Sequence, residues 1–111
     1  MTTYLISRHP ASIQWIEQQG IHIDKQLTHL TPEHLKKLQP QDIIIGTLPI
    51  QIVAQINQIG AHYYHLTLNI PPEYRGKELT LSHLKKFNAT LIEYQAKKIQ
   101  TITPEKQNTD H

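Results

Sequence analysis

Apolar residues in this chain fall in short blocks separated by polar turns, and the spacing inside each block predicts its element. Thr3-Tyr4-Leu5-Ile6-Ser7 is β-prone and apolar at its centre, which predicts a first strand. Just past Arg8-His9 the period changes. Ile13 and Ile16 lie three apart, Pro10 suits a first helical turn, and Gly20 suits the position beyond a helix end. Gln26 to Leu30 predicts a second, weaker strand. Thr31-Pro32-Glu33 then reads as an N-cap with proline at the first helical position, opening a short turn that ends near Leu38.

Asp42-Ile43-Ile44-Ile45-Gly46 carries consecutive isoleucines without alternation, as expected of a strand covered on both faces in the middle of a parallel sheet. Thr47-Leu48-Pro49 turns the chain into a second helix over about Ile50 to Ile59, closed by Gly60. At about 100° per residue its apolar positions spread over roughly 220°, leaving Gln51, Gln55 and Gln58 as a narrow polar strip. An arc of that width implies either a deeply buried helix or an apolar face shared with a second copy. Ala61 to Leu68 predicts another strand, with Tyr63, His65 and Thr67 on one face and His62, Tyr64, Leu66 and Leu68 on the other. After the Pro- and Gly-rich loop from Pro71 to Lys77, Thr80 caps a predicted helix whose stripe is Leu84, Phe87, Leu91 and Tyr94, fading after Lys98.

Strands alternating with helices define an α/β fold: one open, mostly parallel sheet with helices on both faces. A chain of 111 residues holds one such domain, expected over 1–98, followed by a polar tail over 99–111. With 38% hydrophobic and 18% charged residues the composition is that of a folding chain rather than a disordered one. No apolar run approaches the roughly 20 residues of a membrane span, and no signal-peptide pattern opens the chain, so a soluble, cytoplasmic protein is expected.

Zero cysteines exclude a disulfide framework, a thiolate metal site and a cysteine nucleophile. Eight histidines invite a metal, but no His-x-x-x-His or His-Glu-x-x-His spacing occurs, so neither metal nor cofactor is expected. Walker and Gly-x-Gly-x-x-Gly patterns are absent too. A net charge of +2 permits an anionic ligand without calling for a DNA-binding groove.

In an open parallel sheet, ligands bind beyond the carboxyl ends of the strands, and the turns Ser7-Arg8-His9-Pro10 and Gly46-Thr47-Leu48-Pro49 are both expected there. Each leads into a helix N-terminus, where free N–H groups suit a phosphate. Ser7, Arg8 and His9 set a hydroxyl, a fixed cation and an imidazole in three consecutive positions, combining hydrogen bonding, charge neutralisation and proton transfer. The same residues could instead be a cap, a solvated cation and a first-turn histidine. Gly46 and Thr47 could be turn chemistry alone. Arg75 beside Gly76 could swing over a ligand, and His65 could be a core histidine or a reserve acid–base group.

The Arg8-His9 pair shares two residues with the Arg-His-Gly turn of histidine phosphatases, but proline stands where the glycine would be and the chain is short for that fold. Tyr4-Leu5-Ile6-Ser7-Arg8-His9-Pro10, Trp15, Asp42 to Pro49, His65-Leu66 and Pro71 to Leu79 together resemble a small family of accessory proteins of type III CRISPR systems, regarded as ring nucleases. The resemblance runs from about residue 3 to 95. It implies a Rossmann-like homodimer that binds cyclic oligoadenylate, most of all the tetra-adenylate, and opens the ring without metal by attack of a ribose 2′-hydroxyl. It further implies Arg8 on the scissile phosphate, His9 as proton-transfer group, Ser7 and Thr47 as hydrogen-bond donors and Arg75 as a second cation. Gly46, Leu48, Pro49 and His65 complete the expected ligand-binding set. Ala11 stands where glycine is expected after Pro10, which implies a less open turn. A module that senses or sequesters the ring without cutting it, or a structural adaptor, would carry the same fold.

Overall fold

The computed structural model describes residues 1–104; the end of the polar tail expected over 99–111, residues 105–111, lies outside the described residues. The elements in chain order are β1 (Thr3–Ile6), α1 (Pro10–Gln18), β2 (Lys25–Leu27), α2 (Pro32–Lys37), β3 (Ile43–Gly46), α3 (Ile50–Ile59), β4 (His62–Thr67), a 3-10 turn (Pro72–Tyr74), α4 (Leu81–Lys86) and β5 (Thr90–Tyr94). They build one five-stranded sheet in the order β2-β1-β3-β4-β5. Its first four strands run parallel, and β5 pairs antiparallel with β4.

Period-two alternation sends each strand into two cores. Tyr4, Ile6, Ile44 and Tyr63 meet Val53 and Ile56 of α3, with Leu35 of α2 packed alongside. Leu5, Ile45 and Leu66 meet Ala11, Trp15 and Ile16 of α1 and Leu84 of α4. The sheet therefore carries α2 and α3 on one face and α1 and α4 on the other. Asp42 fastens the amino-terminal edge: its buried carboxylate accepts from the Thr2 and Gln39 amides, both at 2.9 Å.

Most of the wide apolar arc on α3 is absorbed by this chain's own core. Ile56 and Val53 are buried, Ile52 and Ile59 pack against them, and Ile50 alone of the large residues stands out at 75% exposed. A left-handed Gly60 at φ 100° closes the helix, as its position in the sequence predicts.

One predicted element is wrong. The helix expected to run from Thr80 past Tyr94 stops at Lys86, and Leu91 and Tyr94 lie on β5. Thr80 does cap α4, its hydroxyl accepting from His83 N–H. The chain breaks at Asn88, whose φ of 58° ends the helix, and Thr90-Leu91-Ile92-Glu93-Tyr94 is rich in residues that favour a pleated surface. Leu91 faces the α1 and α4 core, while Ile92 and Tyr94 remain 40% and 49% exposed on the open edge strand.

β2 is held to β1 partly through Asp24, whose carboxylate accepts from Thr3 N–H at 2.8 Å and lies 3.1 Å from His22. The Thr3 amide holds the Asp24 carboxyl below its ordinary value of 3.8. A lowered folded-state pKa favours the fold when the carboxylate is ionised, so this contribution is complete above about pH 4 and is lost as pH falls further. Asp24→Asn should accordingly lower the melting temperature near neutrality and converge with the unchanged protein as pH falls, which flattens the acid side of a plot of melting temperature against pH. An unchanged acid limb would show that this carboxylate does not couple to folding.

Candidate functional site

Strand order reverses between β1 and β3: the chain leaves β1 for β2 on one side, then crosses back to β3 on the other. Loops leaving the carboxyl ends of β1 and β3 therefore diverge, and the crevice between them is the general ligand position of open parallel sheets. Gly46 makes the two ends fit. A Cβ there would come within 3.1 Å of the Ile6 carbonyl oxygen and 3.3 Å of the Ile6 Cβ.

A cavity of about 230 Å³ opens at this point. Its floor is apolar, built from Leu5, Ala11, Leu66 and Leu84, and its rim carries Ser7, His9, Ser12, Thr47, Lys77 and Glu78. Four sequence-predicted residues, Ser7, His9, Gly46 and Thr47, thus meet on one cavity wall. Ala11 is buried within that wall, its methyl group occupying space that a glycine would leave open.

The N-terminus of α1 lies on the cavity lining, and that of α3 follows two residues after Thr47. His9 is the N-cap of α1 and Pro49 that of α3, and neither supplies a side-chain cap. In α1, Ser12 and Ile13 bond the His9 carbonyl; in α3, Ile52 and Val53 bond the Pro49 carbonyl. Preceding amides are left for other partners, an arrangement suited to an anion. Ser7 is turned toward its own loop, its Oγ accepting from His9 N–H at 3.1 Å.

The remaining expected residues sit elsewhere. Arg8 and Arg75 are exposed and do not reach the cavity wall, and Pro49 is exposed at the start of α3. His65 points to the other face of the sheet, where its Nδ1 lies 2.7 Å from the Tyr63 hydroxyl. That hydroxyl accepts from Leu48 N–H at 2.8 Å and lies 3.1 Å from the Gly46 carbonyl oxygen, to which it can donate. His65, Leu48 and Gly46 are therefore joined through one buried phenol, which fixes the turn that presents Thr47. Burial pushes the Tyr63 phenol above its ordinary value, with the Leu48 amide pulling the other way.

Ser12, Lys77 and Glu78 were not singled out from the sequence. Lys77 and Glu78, on the segment after the 3-10 turn, bring the charges on the cavity wall. Tyr74 secures that segment, its ring 5.1 Å from both His83 and Phe87. Lys77 Nζ lies 5.8 Å from the same tyrosine ring. Lysine beside a glycine in a loop was the available signal.

Structure also accounts for much of the histidine excess. His34 and His83 complete capping boxes, their Nδ1 atoms accepting from the Thr31 and Thr80 amides at 3.1 Å. His62 contacts Glu93 at 2.7 Å. Among the described residues no three His, Asp or Glu side chains converge in a metal-ligating cluster, and no helix is long and apolar enough to cross a membrane.

Fold and site together define a doubly wound α/β protein with a small, polar-rimmed cavity at its topological switch point. Residues 4–97 match the family described as "Putative CRISPR-associated protein (Cas_VVA1548)", and the chain belongs to that family. No curated protein and no solved structure matches it.

Proposed function

We propose that this Rossmann-like domain is a ring nuclease of CRISPR signalling, binding cyclic oligoadenylate as a homodimer and linearising it. The observation that carries the reading is the convergence of Ser7, His9, Gly46 and Thr47 on the switch-point cavity at the N-terminus of α1, which has no side-chain cap. Membership of a CRISPR-associated family supports the biological setting. A ring of two-fold symmetry suits a two-fold pair of such edges.

In this chemistry the ribose 2′-oxygen attacks the adjacent phosphorus, the bond from phosphorus to the 5′-oxygen breaks, and a 2′,3′-cyclic phosphate and a 5′-hydroxyl result. The 2′-hydroxyl proton must leave and the departing 5′-oxygen must gain one. His9, an imidazole on the cavity rim, is the group for proton transfer. The helix N-termini, with Ser7, Thr47 and a nearby cation, hold the phosphate and the charge that grows on it. Arg8, on the same turn as His9, meets the scissile phosphate from outside the cavity wall, Arg75 is a second cation from its loop, and His65 acts through Tyr63 on the β3–α3 turn.

The test is incubation with excess labelled cyclic tetra-adenylate, with and without EDTA. Turnover giving a linear product with a cyclic phosphate end, at a rate unchanged by chelator, is expected. A retained, uncut ring in stoichiometric amount would replace the enzyme with a sensor. Activity lost to EDTA and restored by manganese would overturn attack by the 2′-hydroxyl unaided by metal.

A further inference from the structure

We infer that the switch-point cavity is a nucleobase pocket, taking one base of the ligand while the ribose and phosphates stay at its rim. The inference rests on the ligand being an RNA ring and specifies which part of that ring enters the protein. Size is the first reason. At about 230 Å³ the cavity falls below the roughly 300 to 1,000 Å³ of pockets that enclose drug-sized molecules, so a whole tetranucleotide cannot enter, whereas one heterocycle can.

Polarity is the second reason. Leu5, Leu66 and Leu84 are buried at the floor, while Ser7, His9, Ser12, Thr47, Lys77 and Glu78 are half-buried or exposed at the rim. A phosphodiester pushed against the hydrocarbon floor would lose its hydration without a partner. A base presents apolar faces to such walls and a polar edge to the hydroxyls, the imidazole and the Glu78 carboxylate above them. The phosphates then stay where Lys77 and the N-terminus of α1 can reach them.

Preorganisation is the third. The wall from Lys77 to Leu79 is fixed by Tyr74, which packs on His83 and Phe87, and His83 is itself held by the Thr80 capping box. The pocket thus exists before the ligand arrives, and little ordering is required when a base enters.

The test compares adenosine monophosphate with ribose 5-phosphate on the full chain, by calorimetry and by amide chemical shifts. Adenosine monophosphate should bind about tenfold tighter or more, the scale of one buried base, and should shift the Leu66 and Leu84 amides while ribose 5-phosphate does not. Ser12→Leu at the rim and Ala11→Leu in the wall should each abolish that advantage and leave ribose 5-phosphate binding unchanged. Equal affinity of wild type for the two probes would overturn the pocket. Cyclic tetra-adenylate bound and cut normally by both variants would also overturn it, leaving the ring-nuclease reading intact. Adenosine monophosphate bound as expected, with the ring neither bound nor cut, would keep the pocket and sink the ring-nuclease reading instead.

Discussion

His9→Ala should slow single-turnover opening of cyclic tetra-adenylate by about 10² to 10⁴, the range for losing a positioned proton-transfer group, and should remove one limb of the pH–rate profile. The fold should survive, because His9 caps α1 with its backbone carbonyl and its side chain makes no cap bond. Circular dichroism of the variant checks this. Arg8→Ala should lower the same rate by about 10² to 10³ if its guanidinium meets the growing charge on the scissile phosphate. Lys77→Ala sorts the cations, since Lys77 lies on the cavity wall and Arg8 does not. Affinity and rate falling together in any of these variants would mark uniform binding rather than transition-state stabilisation. Wild-type cleavage by both His9→Ala and Arg8→Ala would remove the turn after β1 from the chemistry and direct attention to His65 and the Arg75 loop.

What could be read from the sequence, and what could not, follows from the range of the interactions involved. β1, β3 and β4 were legible because unbroken or alternating apolar runs record burial within a few residues of themselves. That Ser7, His9, Gly46 and Thr47 share the carboxyl edge of the sheet was legible for a related reason: a strand running straight into a helix places its turn there, wherever the other elements lie. The helix placed over Leu91 and Tyr94 failed because Leu84, Phe87, Leu91 and Tyr94 also fit a helical stripe. The competing signals, Asn88 as a left-handed breaker and the β-prone Thr90 to Tyr94, were the ones that prevailed. Lys77, Glu78 and Ser12 join the cavity only through tertiary packing, with α4 seated against α1 and Tyr74 packed on His83 and Phe87. No local pattern encodes that meeting. His65 was placed at the right edge but on the opposite face from the cavity, an outcome that alternation from Tyr63 already implied.

Ile56→Glu should abolish folding rather than merely separate two copies. Its side chain has no exposed surface and lies in the cluster with Ile44, Val53 and Tyr63, so a carboxylate there would be buried without a partner. The cost should exceed about 4 kcal/mol, a large part of the roughly 5 to 15 kcal/mol that holds a domain together. Ile50→Glu reads the other half of the same helix. With Ile50 mostly in water, the change should alter stability by less than about 0.5 kcal/mol in urea denaturation. If two copies meet at the first turn of α3, light scattering of Ile50→Glu should show monomers at concentrations where the unchanged protein is a dimer, and ring binding should weaken in parallel. A monomeric wild type at micromolar concentration would end the dimer proposal. A dimer untouched by Ile50→Glu would move the interface away from α3, toward the open edge where Ile92 and Tyr94 are exposed.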